Sequence, residues 1–241
     1  MWVTLQGAPL RAVPLAAYTS GLALGNQAAP GVSFCLDFTV ISAISVTALG
    51  AFDDLGPDLD ATQSNGFIGQ ISVAIFSQAL QEAVTPVLTF QGNGDTQDGA
   101  FRFKNLNTPV TLLPGDYSVV AEGFSSNDLL GNMQCLNNTS SNLTCLTDPY
   151  GFAPPNMQTN GFLIQFTGSG RYSTAGIGIQ YPTLIQGQES PHATLPNEYL
   201  AGNFVFAAES SVPEPSVFWL AGGGFTVMLI RRRRLRRHGA E

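Results

Sequence analysis

Carboxylates supply the first chemistry this chain could perform. Asp53, Asp54, Asp58 and Asp60 crowd a Gly/Pro loop, DDLGPDLDATQSNG. Loop carboxylates at such close spacing suit a hard cation, calcium above all. The regular D-x-D-x-D-G pattern with its distant glutamate is absent, so a solvated turn is the first reading of these residues and a metal loop the second. Calcium is the one cofactor the sequence suggests. Glu82, Asp116, Glu122 and Asp128 could in principle furnish the paired carboxylates of a glycosidase, but nothing in their spacing selects a pair. A Ser-His-Asp hydrolase needs a positioned imidazole. The one histidine before the C-terminal tail, His192, lies in the Pro-flanked stretch QESPHATLP and reads as a solvated loop residue. There is no G-x-S-x-G elbow and no phosphate-cradling loop. No catalytic residue is assigned, and a non-enzymatic protein is expected. Tyr150, Phe152 and Tyr172 could stack on sugar rings, with packing against a sheet as the alternative.

The cysteines allow two readings. Cys135 and Cys145 flank the polar loop LNNTSSNLT and could close it as a disulfide outside the cytoplasm, leaving Cys35 buried in a strand. All three could instead stay unpaired. No CxxC occurs, and His192 and His238 lie far from the cysteines, so zinc is not expected.

The elements that would position these groups are strands. Val32–Val40 (VSFCLDFTV) alternates strictly, with Phe34, Leu36 and Phe38 on one face. Ile41–Ala43 suits a turn, and Ile44–Phe52 is rich in β-branched residues. Phe67–Phe76, Pro86–Gln91, Ala100–Leu106, Val110–Leu113, Tyr117–Gly123, Gly161–Gly168, Arg171–Tyr181 and Tyr199–Ala207 continue the series. Gly, Pro, Asn and Asp punctuate them. Gln91–Gly99 reads as a flexible hairpin loop, and Arg102 and Lys104 as a solvent face between Phe101 and Phe103. Phe124–Asn160 is long and irregular, which suits a binding loop or an excursion over one end. No helical period persists. The expected fold is all-β, a single β-sandwich of jelly-roll type over residues 18–207.

Charge divides the chain. Of ten Lys and Arg residues, six follow residue 212. Residues 1–212 hold four cations against fifteen carboxylates, a balance near −11. An acidic, lysine-poor body excludes nucleic acid as a partner and fits an extracytoplasmic domain. Met1–Ala17 carries one arginine, two prolines and no adequate apolar run. It reads as a poorly defined lead-in with a truncated start, an export signal being expected upstream.

The C-terminus is organised differently. Residues 208–216 form a linker that carries Val212, Pro213, Glu214 and Pro215. The prolines bar a regular helix across that motif, so a helix can begin only after it. Val217–Ile230 contains no charged residue and is expected to be a short apolar, membrane-inserted helix. Its fourteen residues fall below the roughly 20 of a usual span, and arginine side chains can snorkel to lengthen it. Arg231, Arg232, Arg233, Arg234, Arg236 and Arg237 follow at once, in a basic tail over residues 231–241. Positive charge stays on the cytoplasmic side, so the body faces outward.

Those three parts in that order resemble a PEP-CTERM sorting signal of exported proteins of Gram-negative bacteria. The resemblance covers about Val212 to Arg237. It implies recognition and processing near the motif by an exosortase, a membrane protease or transpeptidase. A looser likeness to β-sandwich modules of such proteins rests on Ile44–Gly50 with the following FDDLG and on PVTLLPGDYSVVAEG, Pro109–Gly123. The expectation is an exported surface or extracellular-matrix protein, tethered to the membrane before processing. A carbohydrate- or calcium-binding sandwich module associated with exopolysaccharide is the alternative.

Overall fold

The computed structural model describes residues 13–19, 25, 27–54, 66–132, 156–185 and 199–209. All of them fall in one compact unit, Ala12–Glu209. Among them every regular element is a strand and every pairing is antiparallel. Eight strands carry the architecture: β1 (Phe34–Val40), β2 (Ile44–Phe52), β3 (Phe67–Ser77), β4 (Leu88–Gly92), β5 (Phe101–Leu112), β6 (Gly115–Glu122), β7 (Ile164–Tyr172) and β8 (Gly202–Ala208).

They form two principal sheets. In the first, β2 lies between β8 and β5, with Leu15–Ala16 added beside β8 and Thr96–Asp98 beside β5. In the second, the order is β7, β1, β6, β3, with Leu184–Ile185 beyond β7 and both Glu82–Ala83 and β4 paired to β3. The turns after β1 and β5 carry the chain from one sheet to the other.

The sheets pack through alternate residues. Phe34, Leu36, Phe38 and Val40 of β1 point inward with Ile71, Val73 and Ile75 of β3. Ile44, Val46 and Leu49 of β2 and Phe204 and Phe206 of β8 come from the other side. The Phe38 and Phe204 rings lie 4.7 Å apart, centroid to centroid, across this interface. Tyr18 sits edge-on to Phe101 at 5.2 Å and donates its hydroxyl proton to the carbonyl of Gly202. A buried phenol keeps its polar tip only with such a partner.

Most of the strands expected from the sequence are present, and Ile44–Phe52 is found with the bounds expected. Three expectations are corrected. Gly161–Gly168 and Arg171–Tyr181 are replaced by a single strand, β7, which ends at Tyr172. Ala100–Leu106 and Val110–Leu113 belong to one strand, β5, whose register against β2 breaks between Asn105 and Val110. Pro109, which has no N–H to donate, stands inside that break. The Gln91–Gly99 loop also contains a short strand, Thr96–Asp98, on the edge of β5. The C-terminal helix expected at residues 217–230 lies outside the described residues.

Candidate functional site

The first sheet-face cluster rich in reactive side chains lies on the outside of the second sheet. β1 is buried on both faces: its inward face carries Phe34, Leu36 and Phe38, its outward face Cys35 and Asp37. Pairing sets Cys35 beside Val120 of β6 and Arg171 of β7, and Asp37 beside Ser118. A carboxylate in an apolar strand must find donors, because burying it unpaired is costly. Asp37 finds three. Its Oδ1 accepts from Ser118 Oγ at 2.6 Å and from Cys35 Sγ at 3.7 Å, and its Oδ2 from Arg171 Nε at 2.6 Å.

A bulge makes this possible. Phe166 stands opposite Phe38, and an unbroken ladder would then bring Arg171 opposite Ser33. Instead the register shifts between Phe166 and Gly170, so Arg171 stands opposite Cys35 and within reach of Asp37. Gly168 holds a φ of 82°, and a Cβ on Gly170 would lie 2.9 Å from Tyr199 Cδ2. Glycine suits both positions.

A cover segment closes over the cluster. Ser173 N–H donates to Ser33 O, Ser33 N–H to Ser173 Oγ, and Gln180 N–H to Ser33 Oγ at 3.0 Å. Ile179 and Tyr181 pack on Cys35, Ala74, Phe76 and Val120. The Arg171 guanidinium lies 5.9 Å from the Tyr181 ring centroid, and its Nη2 reaches Gln78 Oε1 at 3.4 Å.

This geometry fastens structure and holds its reactive groups in check. Burial first, and then the charge of Asp37, push the Cys35 thiol well up, so it stays protonated and a poor nucleophile. For Arg171 burial acts to lower the pKa, but the bond and charge of Asp37 outweigh it and the guanidinium is held charged. Ser118 gives its proton to a carboxylate with both oxygens engaged, and no imidazole is among the described residues.

A pH dependence follows. Burial pushes the phenol of Tyr18 well up as well. In the unfolded chain a thiol ionises near pH ~8.5 and a phenol near ~10. Above those values the unfolded state binds fewer protons than the native state, so stability falls as pH rises. Unfolding free energy in urea is expected to hold from pH 6 to 8. It then declines by up to about 1.4 kcal/mol per pH unit for each group. Cys35→Ala should remove the part of the decline that starts near ~8.5. Identical profiles for the two proteins would contradict this account.

The candidate acidic loop is placed in part. Asp53, at the end of β2, is buried and ion-paired to Arg102 of β5. Arg102 Nη1 also donates to the carbonyls of Asn93 and Asp95, at 2.9 and 3.1 Å. Lys104 bonds Thr89 O at 2.6 Å, pairs with Asp95 at 3.3 Å and lies 5.0 Å from the Phe90 ring centroid. The expected solvent face of Arg102 and Lys104 is therefore corrected: Arg102 is only 4% exposed. Strand alternation failed at Arg102 because the buried Asp53 carboxylate offers it a partner. A cation at this loop would have to compete with that guanidinium for Asp53. Asp54 is half-buried, and Asp58 and Asp60 lie outside the described residues.

The remaining candidates scatter. Asp128 is buried and accepts from the N–H groups of Ile68 and Gly69 at 2.8 and 2.7 Å, fixing the start of β3. Asp116 is exposed and accepts from Thr39 Oγ1 at 2.7 Å. Glu82 is exposed on the edge of β3. Glu122 is half-buried opposite Ser72, and desolvation raises its pKa. Tyr172 packs against the core between the sheets. Cys35 is buried and unpaired, which both readings of the cysteines expect. Cys135 and Cys145, Tyr150 and Phe152, His192, the motif Val212–Pro215 and the arginines from Arg231 to Arg237 lie outside the described residues.

Among the described residues no group of three or more His, Cys, Asp or Glu side chains stands together as a metal site, and no helix is long and apolar enough to cross a membrane. Compared with known proteins, the chain matches no family model, no curated protein and no solved structure.

Proposed function

We propose that this chain is an exported surface or extracellular-matrix protein, a non-enzymatic β-sandwich of jelly-roll type carried to its destination by a C-terminal sorting signal. One observation carries the reading: Pro213-Glu214-Pro215, an uncharged apolar segment and six arginines follow one another in 25 residues behind an acidic body. An exosortase processes the tail near the motif. Before processing, the apolar segment holds the protein in the membrane with the arginines on the cytoplasmic side. The two well-buried carboxylates beside cations, Asp37 and Asp53, are engaged in fastening strands, which supports a role of display rather than turnover.

The test is processing. In a Gram-negative host with an exosortase, the protein behind an export signal should lose the tail, seen as a mass decrease by intact-protein mass spectrometry. Pro213→Ala combined with Pro215→Ala should leave at least nine-tenths of the chain unprocessed and membrane-bound. Equal processing of both proteins would overturn the proposal.

A further inference from the structure

Three of the large apolar side chains that the body leaves in water, Ile41, Leu113 and Phe162, sit together at the end from which the tail departs, whereas Ile68 and Ile177 lie apart from them. Strand pairing identifies that end. Val40 stands opposite both Gly115 and Ile164, and Ile44 opposite both Leu112 and Ala208. The turns beyond these pairs carry Ile41, Leu113 and Phe162, which are 47, 64 and 77% exposed. The first and last are tied together, because Ile41 N–H donates to Leu163 O at 2.8 Å. Single exposed apolar residues need no explanation, but three on adjoining turn tips do.

The turn that presents Phe162 is strained. Asn160, Gly161 and Phe162 hold φ values of 44°, 73° and 71° in succession. Left-handed backbone is unfavourable for a bulky aromatic residue, and such strain collects where function demands it. Here it projects a phenyl ring into solvent that would otherwise be free to fold back onto the sheet.

The exit point says what covers these tips. Ala208 pairs with Ile44, Glu209 N–H donates to Ala43 O at 3.0 Å, and Thr111 Oγ1 bonds the Glu209 carboxylate at 3.2 Å. Seven residues, Ser210 to Ser216, then separate Glu209 from Val217, where the apolar segment begins. Fully extended, they span about 25 Å at most. A bilayer entered at Val217 is thus never far from this end of the body. Asp116 and Glu209 are exposed at this end, and Arg102 stands opposite Ala51 at the far end of β2, so the contact rests on the apolar tips and not on attraction to anionic headgroups, with both carboxylates left in water.

We propose that Ile41, Leu113 and Phe162 form a membrane-seating surface that inserts into the interfacial layer of the bilayer to which the tail is anchored. The body then stands on the membrane in one orientation before processing and is freed when the tail is cut. This rests on reading the tail as a membrane segment.

The full chain in phosphatidylcholine vesicles tests it, with Phe162→Trp as a depth probe and lipids brominated near the headgroup end of the acyl chains as quencher. Trp2 and Trp219 occur in every sample and are subtracted using the unsubstituted chain. Emission from the new tryptophan should fall by half or more, and 0.5 M salt should not restore it. Ile177→Trp, fully exposed on the segment that bonds Gly31 at the opposite end, should be unchanged by bromine. Floating vesicles with an unquenched tryptophan at 162 would overturn the seating surface and leave the tail reading standing. A chain that does not float would overturn the tail reading, and this proposal with it. A dimer in detergent that Ile41→Ser, Leu113→Ser and Phe162→Ser together abolish, with no quenching in vesicles, would assign the surface to a second copy and overturn the proposal.

Discussion

Arg102→Ala is expected to lower the melting temperature by roughly 8–15 °C, corresponding to a loss of about 3–5 kcal/mol. The side chain is buried, its Nε donates to the buried Asp53, and its Nη1 ties down the carbonyls of Asn93 and Asp95. Truncation leaves a buried carboxylate without its counter-charge and frees the carbonyls of Asn93 and Asp95, which water can reach because Asn93 is exposed and Asp95 half-buried. The first consequence costs more than the net worth of the intact pair, because Asp53 stays buried after its cation is removed. The size of the effect has an internal control. Asp53→Ala with Arg102→Met removes both charges and keeps much of the volume, so it should recover at least half of the loss. Arg102→Lys keeps the charge but cannot make the fork to Asp53 and the two carbonyls together, and should fall in between. Thermal unfolding followed by far-ultraviolet circular dichroism reads all three. A single variant within about 1 kcal/mol of the parent would mean that water reaches the pair and that burial is not what sets its weight.

Strands were legible where large apolar residues recur at every second position. Ile44–Phe52 emerges with the bounds read from the sequence, and the strand read as Val32–Val40 emerges as Phe34–Val40, both carrying side chains that meet across the sheets. The polar clusters were less legible because they depend on pairings remote in the chain. Asp37 is followed 134 residues later by its Arg171 partner, and Asp53 by Arg102 at a separation of 49. Nothing local announces such a meeting. A charged residue inside an apolar strand is nevertheless a signal: Asp37 in FCLDFTV demanded a donor, and Gly168-Ser169-Gly170 offered the bulge that delivers one. Arg102 misled for the same reason. Period-two alternation assigns a face, but it does not say whether that face meets water or a covering loop. The Asp53–Asp60 loop shows the converse. Four acids close in sequence invite a cation, yet the first is spent on a guanidinium before the loop begins.

Asp37→Ala should cost about 2–4 kcal/mol and loosen the cover over the outer face of the second sheet. Three donors converge on this carboxylate, from β1, β6 and β7, so its removal weakens three strands at one point. The cost should be smaller than at Arg102. The Arg171 side chain is 21% exposed, so water can replace part of what it loses, whereas Arg102 is sealed at 5%. Cys35 offers a direct readout of the loosening. Burial is the main cause of its raised pKa and the charge of Asp37 the second. Removing Asp37 alone lowers the barrier to ionisation only in part, so fast labelling requires the Ile179–Tyr181 cover to open as well. Labelling of Cys35 by a maleimide, mapped by peptide mass spectrometry, should accelerate at least tenfold in Asp37→Ala. Arg171→Ala leaves the negative charge beside the thiol while removing the cation that opposes it, so local ionisation is then harder. If Asp37→Ala labels faster and Arg171→Ala melts lower without labelling faster, electrostatics governs the thiol. Equal acceleration in both would show that opening of the cover governs it. No acceleration in Asp37→Ala would remove the carboxylate from its assigned place as the fastening point of this face.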